Sequence, residues 1–102
     1  MGLKVLLHRR ARAELESIRD YLVENAGNAV AEKVRLHLRQ RIEMLGDFPA
    51  AGLASTEAGI RVLSPTKYPY RIYITVSETA VIILHIRHTS RRAPTPDEIT
   101  RR

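Results

Sequence analysis

The chain has 102 residues, with 17 Lys or Arg against 11 Asp or Glu, a formal net charge of +6 and a pI near 10.3. That length holds one hydrophobic core rather than two, and 44% hydrophobic residues are enough to build it, which sets global disorder aside. Cysteine is absent, which excludes disulfides, thiol nucleophiles and Cys-ligated zinc. Apolar runs of about five residues fall far short of the roughly 20 that span a bilayer. The start, Met1-Gly2-Leu3-Lys4-Val5, has no signal-peptide pattern, and Leu6 stands where a myristoylation pattern needs Ser or Thr. The expectation is a soluble, cytoplasmic, basic domain, suited to polyanions or an acidic protein partner and not to a membrane.

Leu3–His8 alternates, with Leu3, Val5 and Leu7 on one face, and predicts a strand. The period then changes. Ala11, Leu15, Ile18 and Leu22 recur at spacings of four, three and four, one face of a helix, with Arg12, Glu16, Arg19 and Asp20 opposite. Asn25-Ala26-Gly27-Asn28 ends it, Gly27 as a C-cap and Asn28 as the expected cap of a second helix. Ala31, Val34, Leu38, Ile42 and Leu45 form that helix's apolar stripe, and Gly46 stops it. So short a connection makes the two helices an antiparallel hairpin. Pro49, Gly52 and Gly59 predict a loop over 47–59. A short strand follows at Ile60–Leu63, then a clear half-buried one in which Tyr70, Ile72, Ile74 and Val76 alternate with Arg71, Tyr73 and Thr75. After Ser77-Glu78-Thr79, Ala80–Arg87 is apolar on both parities and is expected inside the sheet. The fold class is α+β, in the order β-α-α-β-β-β, with the helical hairpin on one face of a small, mainly antiparallel sheet. Residues 1–92 form the domain and 93–102 a flexible tail.

Three stretches carry a family resemblance. Leu45-Gly46-Asp47-Phe48-Pro49 followed by Gly52 resembles a helix end of the form L-x-x-F-P-x-x-G. Tyr68-Pro69-Tyr70-Arg71-Ile72-Tyr73 resembles a PYR-I/V-x-Y strand. Val81–His88 followed by Ser90-Arg91-Arg92 resembles a last strand of the form V-x-I-L-x-I-x-H. In this order, on these elements, from residue 3 to about residue 92, they resemble the RelE/ParE superfamily of toxins from type II toxin–antitoxin systems. The resemblance implies a cognate antitoxin, a toxin–antitoxin hetero-oligomer and no cofactor. It leaves two activities: ParE-like poisoning of DNA gyrase without known nuclease chemistry, and RelE-like ribosome-dependent cleavage of mRNA.

Parity puts Arg71 and Tyr73 on the sheet face away from the helices. On the last strand the apolar set Ile82, Leu84 and Ile86 is expected toward the helices, which leaves Ile83, His85 and Arg87 on the open face. Arg61, Lys67, Arg71, Arg87, Arg91 and Arg92 are then expected to converge there, with Tyr73 and Ile83 as exposed apolar contacts, as a surface that binds antitoxin or target. Metal-independent RNA cleavage needs a base, an acid and cations for the phosphorane. Arg71 and Arg87 match the RelE-like phosphate-binding positions approximately, and His88 is the acid or base. The RelE-like pattern also implies a lysine-rich loop and a tyrosine near the C-terminus. Here the loop has only Lys67, and no Tyr follows Tyr73. The thin nuclease inventory and the long hairpin favour the ParE-like branch, with antitoxin docking as the role of Arg71 and Arg87.

His85 and His88 are three apart on a strand and point to opposite faces, so no metal site is expected. His37 is expected on an exposed helix flank and His8 at the end of the first strand. Arg9, Arg10 and Arg12 cluster at a helix N-terminus, the end that disfavours cations. A basic nucleic-acid-binding domain is the competing class. It is opposed by the hairpin geometry and by the lack of a recognition helix carrying base-reading Asn or Gln. A degenerate relative that only binds its antitoxin is a further alternative. The charge is split evenly, +3 in residues 1–46 and +3 in residues 47–102, so any basic site has to be assembled by folding.

Overall fold

The computed structural model describes residues 2–55, 57–64, 66–95 and 98. Seven elements follow one another: β1 (Lys4–Leu7), α1 (Arg9–Ala26), α2 (Asn28–Met44), β2 (Leu53–Ala54), β3 (Ile60–Leu63), β4 (Tyr70–Val76) and β5 (Ala80–His88). The five strands make one sheet in the order β1-β5-β4-β3-β2. β1 runs parallel to β5 and every other pair is antiparallel. The expected α+β architecture is present, with one strand more than the sequence predicts. The two residues of β2 pair with Val62 and Arg61 inside the stretch read as a loop.

His8 ends β1 and caps α1, its Nδ1 accepting the Arg10 N–H at 3.2 Å. Gly27 is the whole connection between the helices. Its φ of +92° favours glycine, its N–H donates to Leu22 and Val23 carbonyls, and its own carbonyl accepts from Ala31. The cap of α2 is therefore Gly27 and not Asn28, which is already helical and makes no capping bond. Leu15, Ile18 and Leu22 of α1 meet Ala31, Val34 and Leu38 of α2, the antiparallel pairing the short turn requires.

The main core lies between the hairpin and the sheet. Val34, Leu38, Ile42 and Leu45 pack on Ile72, Ile74, Val81, Ile83 and Ile86. Gly46 lets the end of α2 sit against β1: a Cβ there would lie 2.8 Å from the Leu3 carbonyl oxygen and 3.2 Å from Val5 Cγ2. A smaller cluster of Ile60, Tyr73 and Leu84, flanked by Val62 and Ile82, covers the other face of the sheet.

β5 breaks the alternation. Its register against β4 pairs Tyr73 with His85 but Ile74 with Ile83, so Leu84 is an extra residue, a β-bulge. The bulge reverses the facing of the strand's first half. Ile83 lies in the main core with 0% exposure, and Ile82 and Leu84 belong to the opposite face. Ile83 is therefore not an exposed contact of the open face, as strict alternation predicts. Tyr73 does face the open side, yet it is only 6% exposed, because Ile60, Val62 and Leu84 close around it. The apolar side chains that stay exposed at the two margins of this face are Leu53 and Leu6.

Candidate functional site: a cationic cluster on the last strand

β4 and β5 set the frame. Arg71 lies opposite Arg87, and Tyr73 opposite His85. β1 ends alongside Ile83, where the His8 N–H donates to the Ile83 carbonyl at 2.9 Å. Beyond that point no strand among the described residues flanks the outer edge of β5, and α1 takes over. Glu14 accepts the Ile86 N–H at 2.9 Å, lies 3.2 Å from His85 Nδ1, and stands 3.3 Å from Arg87 Nε. A carboxylate thus substitutes for a missing strand carbonyl, pairs with the Arg87 guanidinium and meets the His85 ring. His85 and Arg87 are both buried, with 3% and 8% exposure. Arg87 Nε is at ion-pair distance from Glu14 but makes no aligned hydrogen bond.

Glu98 closes the other side. Glu98 accepts from Arg87 at 2.6 Å and from Arg92 at 2.7 Å, while its backbone carbonyl accepts from Arg10 at 2.8 Å and lies 3.3 Å from His85 Nε2. Hydrogen bonds from Arg92, then Arg87 and Thr95, hold the Glu98 carboxyl well below the usual carboxylate range. Both ring nitrogens of His85 face oxygens. Thr95 and Glu98 bond reciprocally: the Glu98 carboxylate accepts the Thr95 N–H, and Thr95 Oγ1 accepts the Glu98 N–H, each at 3.3 Å. This is the pattern of a capping box. Residues 96, 97 and 99–102 of the predicted tail lie outside the described residues.

The six basic residues expected together are divided. Arg71, Arg87 and Arg92 belong to one cluster, in which Arg71 is partly exposed and makes no hydrogen bond or ion pair with a described residue. Arg61 departs from it. It is in register with Ile74, on the helix side of the sheet, and its guanidinium ties down the Ala50 and Gly52 carbonyls of the preceding loop. Lys67 lies 5.7 Å over the Tyr68 ring, beside His37 of α2. His37, in turn, is half-buried against Tyr68 and Thr66 rather than on an open flank. Arg91 is exposed and lines a cavity of about 440 Å³ with Glu14, Tyr21, Tyr70, Arg87 and His88. His88 pairs with Tyr70 on the helix-side parity, edge-on to its ring at 5.4 Å, and its Nδ1 accepts the Ser90 N–H at 3.0 Å.

Sequence reasoning missed Glu14 and Glu98, and it singled out Arg10 only within the Arg9, Arg10 and Arg12 cluster, without bringing it to this strand. Glu98 has a local signal, since Thr95-Pro96-Asp97-Glu98 has the [ST]-x-x-[DE] spacing of a helix start. Glu14 has none, because its role depends on where β1 stops.

A family model described as the ParE toxin of type II toxin–antitoxin system, parDE, matches residues 5–93. This chain belongs to the ParE toxin family. As a toxin of a type II system, it is one half of a pair whose other half is an antitoxin. A solved chain from the chromosomal ParDE TA system from P. aeruginosa is similar to the toxin, with a TM-score of 0.79 and 25% identity over 85% of this chain and 96% of that one. No curated protein sequence matches. Among the described residues, no helix of the toxin is long and apolar enough to cross a membrane.

Proposed function

We propose that this toxin acts on DNA gyrase rather than as a ribosome-dependent RNase, and that its antitoxin docks on the Arg71–Arg87 face. One observation carries the choice: the side chains an RNase would need do not converge as free groups. Arg87 is buried between two carboxylates, Arg71 is on the opposite sheet parity from His88, and His88 is engaged by Tyr70 and Ser90. Metal-independent cleavage requires an acid, a base and an unneutralised cation around one phosphate. Gyrase poisoning requires a binding surface, which the hairpin offers through exposed apolar residues such as Tyr21, Val30 and Leu36.

A second reading, an RNase, rests on the cavity that Arg87, His88 and Arg91 share. One induction without antitoxin separates the two. Inhibited supercoiling or trapped gyrase–DNA complexes with intact reporter mRNA is the expected result. Codon-placed cuts with normal supercoiling would overturn it. For docking, Arg71→Ala and Arg87→Ala are expected to weaken antitoxin binding. Unchanged affinity in both would move the docking surface elsewhere.

A further inference from the structure

We propose that Arg87 and Arg92 form a binding site for a peptide carboxylate, with Arg10 holding the backbone carbonyl of the same residue, and that Glu98 is its built-in occupant. The chain's own C-terminal segment then competes with any acidic segment that a partner brings to this face. The proposal deepens the docking reading above and rests on it.

The buried guanidinium of Arg87 needs an anion on each side, since burial removes the water that would otherwise solvate it. Glu14 supplies one from α1 and Glu98 the other, at 2.6 Å. The two anions are not equivalent. Glu14 is anchored in a helix and also holds the Ile86 N–H. Glu98 instead exchanges reciprocal bonds with Thr95, which pre-set its carboxylate. Its second partner, Arg92, has a side chain 66% exposed, so half of this site opens to solvent. An ion pair in such a setting contributes little and exchanges readily. Arg71, in register with Arg87 and without a described partner, leaves the cluster with positive charge to spare for a second carboxylate. The geometry is that of a receptor holding a tethered ligand.

The test uses the full chain and fluorescein-labelled hexaglutamate as probe, read by fluorescence anisotropy, with melting curves to confirm that each variant is folded. Glu98→Gln keeps an acceptor for Thr95 and removes the charge. It is expected to bind the probe about fivefold tighter, the factor by which a competitor docked about four-fifths of the time lowers apparent affinity. Adding Arg92→Ala should remove most of that gain. Equal affinity of wild type and Glu98→Gln overturns the proposal, as does a gain that survives Arg92→Ala. The cognate antitoxin separates this proposal from the reading beneath it. Tighter antitoxin binding by Glu98→Gln supports both. If the probe binds tighter but the antitoxin does not, the internal ligand stands and docking on this face falls. If neither tightens while Arg71→Ala still weakens the antitoxin, docking stands and the internal ligand is overturned.

Discussion

Replacing Glu14 tests how the cationic cluster is held together. Two changes separate its two tasks. Glu14→Gln keeps an oxygen for the Ile86 N–H and loses the charge facing His85 and Arg87, whereas Glu14→Ala loses both. A hydrogen bond to a charged acceptor contributes about 1.5–3 kcal/mol. Removing one partner of a buried ion pair costs about 3–5 kcal/mol. The second figure is reduced here, because the Glu14 side chain is 21% exposed and Glu98 still neutralises Arg87. The expected losses are about 3–4 kcal/mol for Ala and about 1–2 kcal/mol for Gln. At about 4–8 °C per kcal/mol for a domain of this size, Glu14→Ala should lower the melting temperature by at least about 12 °C. Urea unfolding followed by circular dichroism at neutral pH gives the free energies, and amide exchange at Ile86 gives the local effect. Exchange should stay slow in Glu14→Gln and become fast in Glu14→Ala. A cost below about 1 kcal/mol for Ala would refute the edge-cap argument. Equal losses in the two variants would show that the Ile86 hydrogen bond contributes nothing.

Gly46→Ala should destabilise the toxin by about 1–3 kcal/mol, because the new methyl meets the Leu3 backbone and β1 must shift; a variant with wild-type urea midpoint would contradict this close approach. Glu98 has a folded pKa below its ordinary 4.5, so its docking is fully present above that value and is lost as pH falls through the lowered one. Carbon-detected NMR should find the Glu98 carboxyl still ionised well below pH 4.5, and a midpoint near that ordinary value would remove the arginine contacts. Burial, then Arg41 and Lys67, lowers the pKa of His37, so this group favours the fold above its ordinary 6.5 and loses that contribution as pH falls through the lowered value. Lys67→Ala should move the imidazole titration, followed by NMR, upward toward 6.5, and an unmoved titration would place Lys67 elsewhere.

The helical hairpin was legible because Leu15, Ile18, Leu22, Val34, Leu38 and Ile42 repeat with helical period and bury where that period puts them. β4 was legible for the same reason, with Tyr70, Ile72 and Ile74 turned to the core and Arg71 and Tyr73 to the other face, while Val76 at its end stays exposed. β5 was misread over its first half because both of its faces are apolar. Alternation then carries no information, and nothing in Val81-Ile82-Ile83-Leu84 marks which residue bulges. Arg61 was misplaced by the same kind of assumption. A charged residue on a short strand is expected to seek the open face, but near the sheet margin its long side chain satisfies loop carbonyls instead. The arginine-rich surface was anticipated as cationic, while its two carboxylates come from the far ends of the chain, where only the three-dimensional path brings them together.

β1 owes its place to β5, about seventy-six residues further on: Lys4 lies against Ala80 and Leu7 against Ile83. During synthesis the first strand waits for β5, since among the described residues no other strand flanks it. Pairings this distant in sequence form late and slowly. The edge that Glu14 caps and the arginines that Glu98 occupies both lie on that final strand or beyond it. Before β5 has been made the chain can fold its helices, yet it carries no finished sheet and no cationic cluster. The cationic cluster is therefore among the last parts of this domain to be assembled.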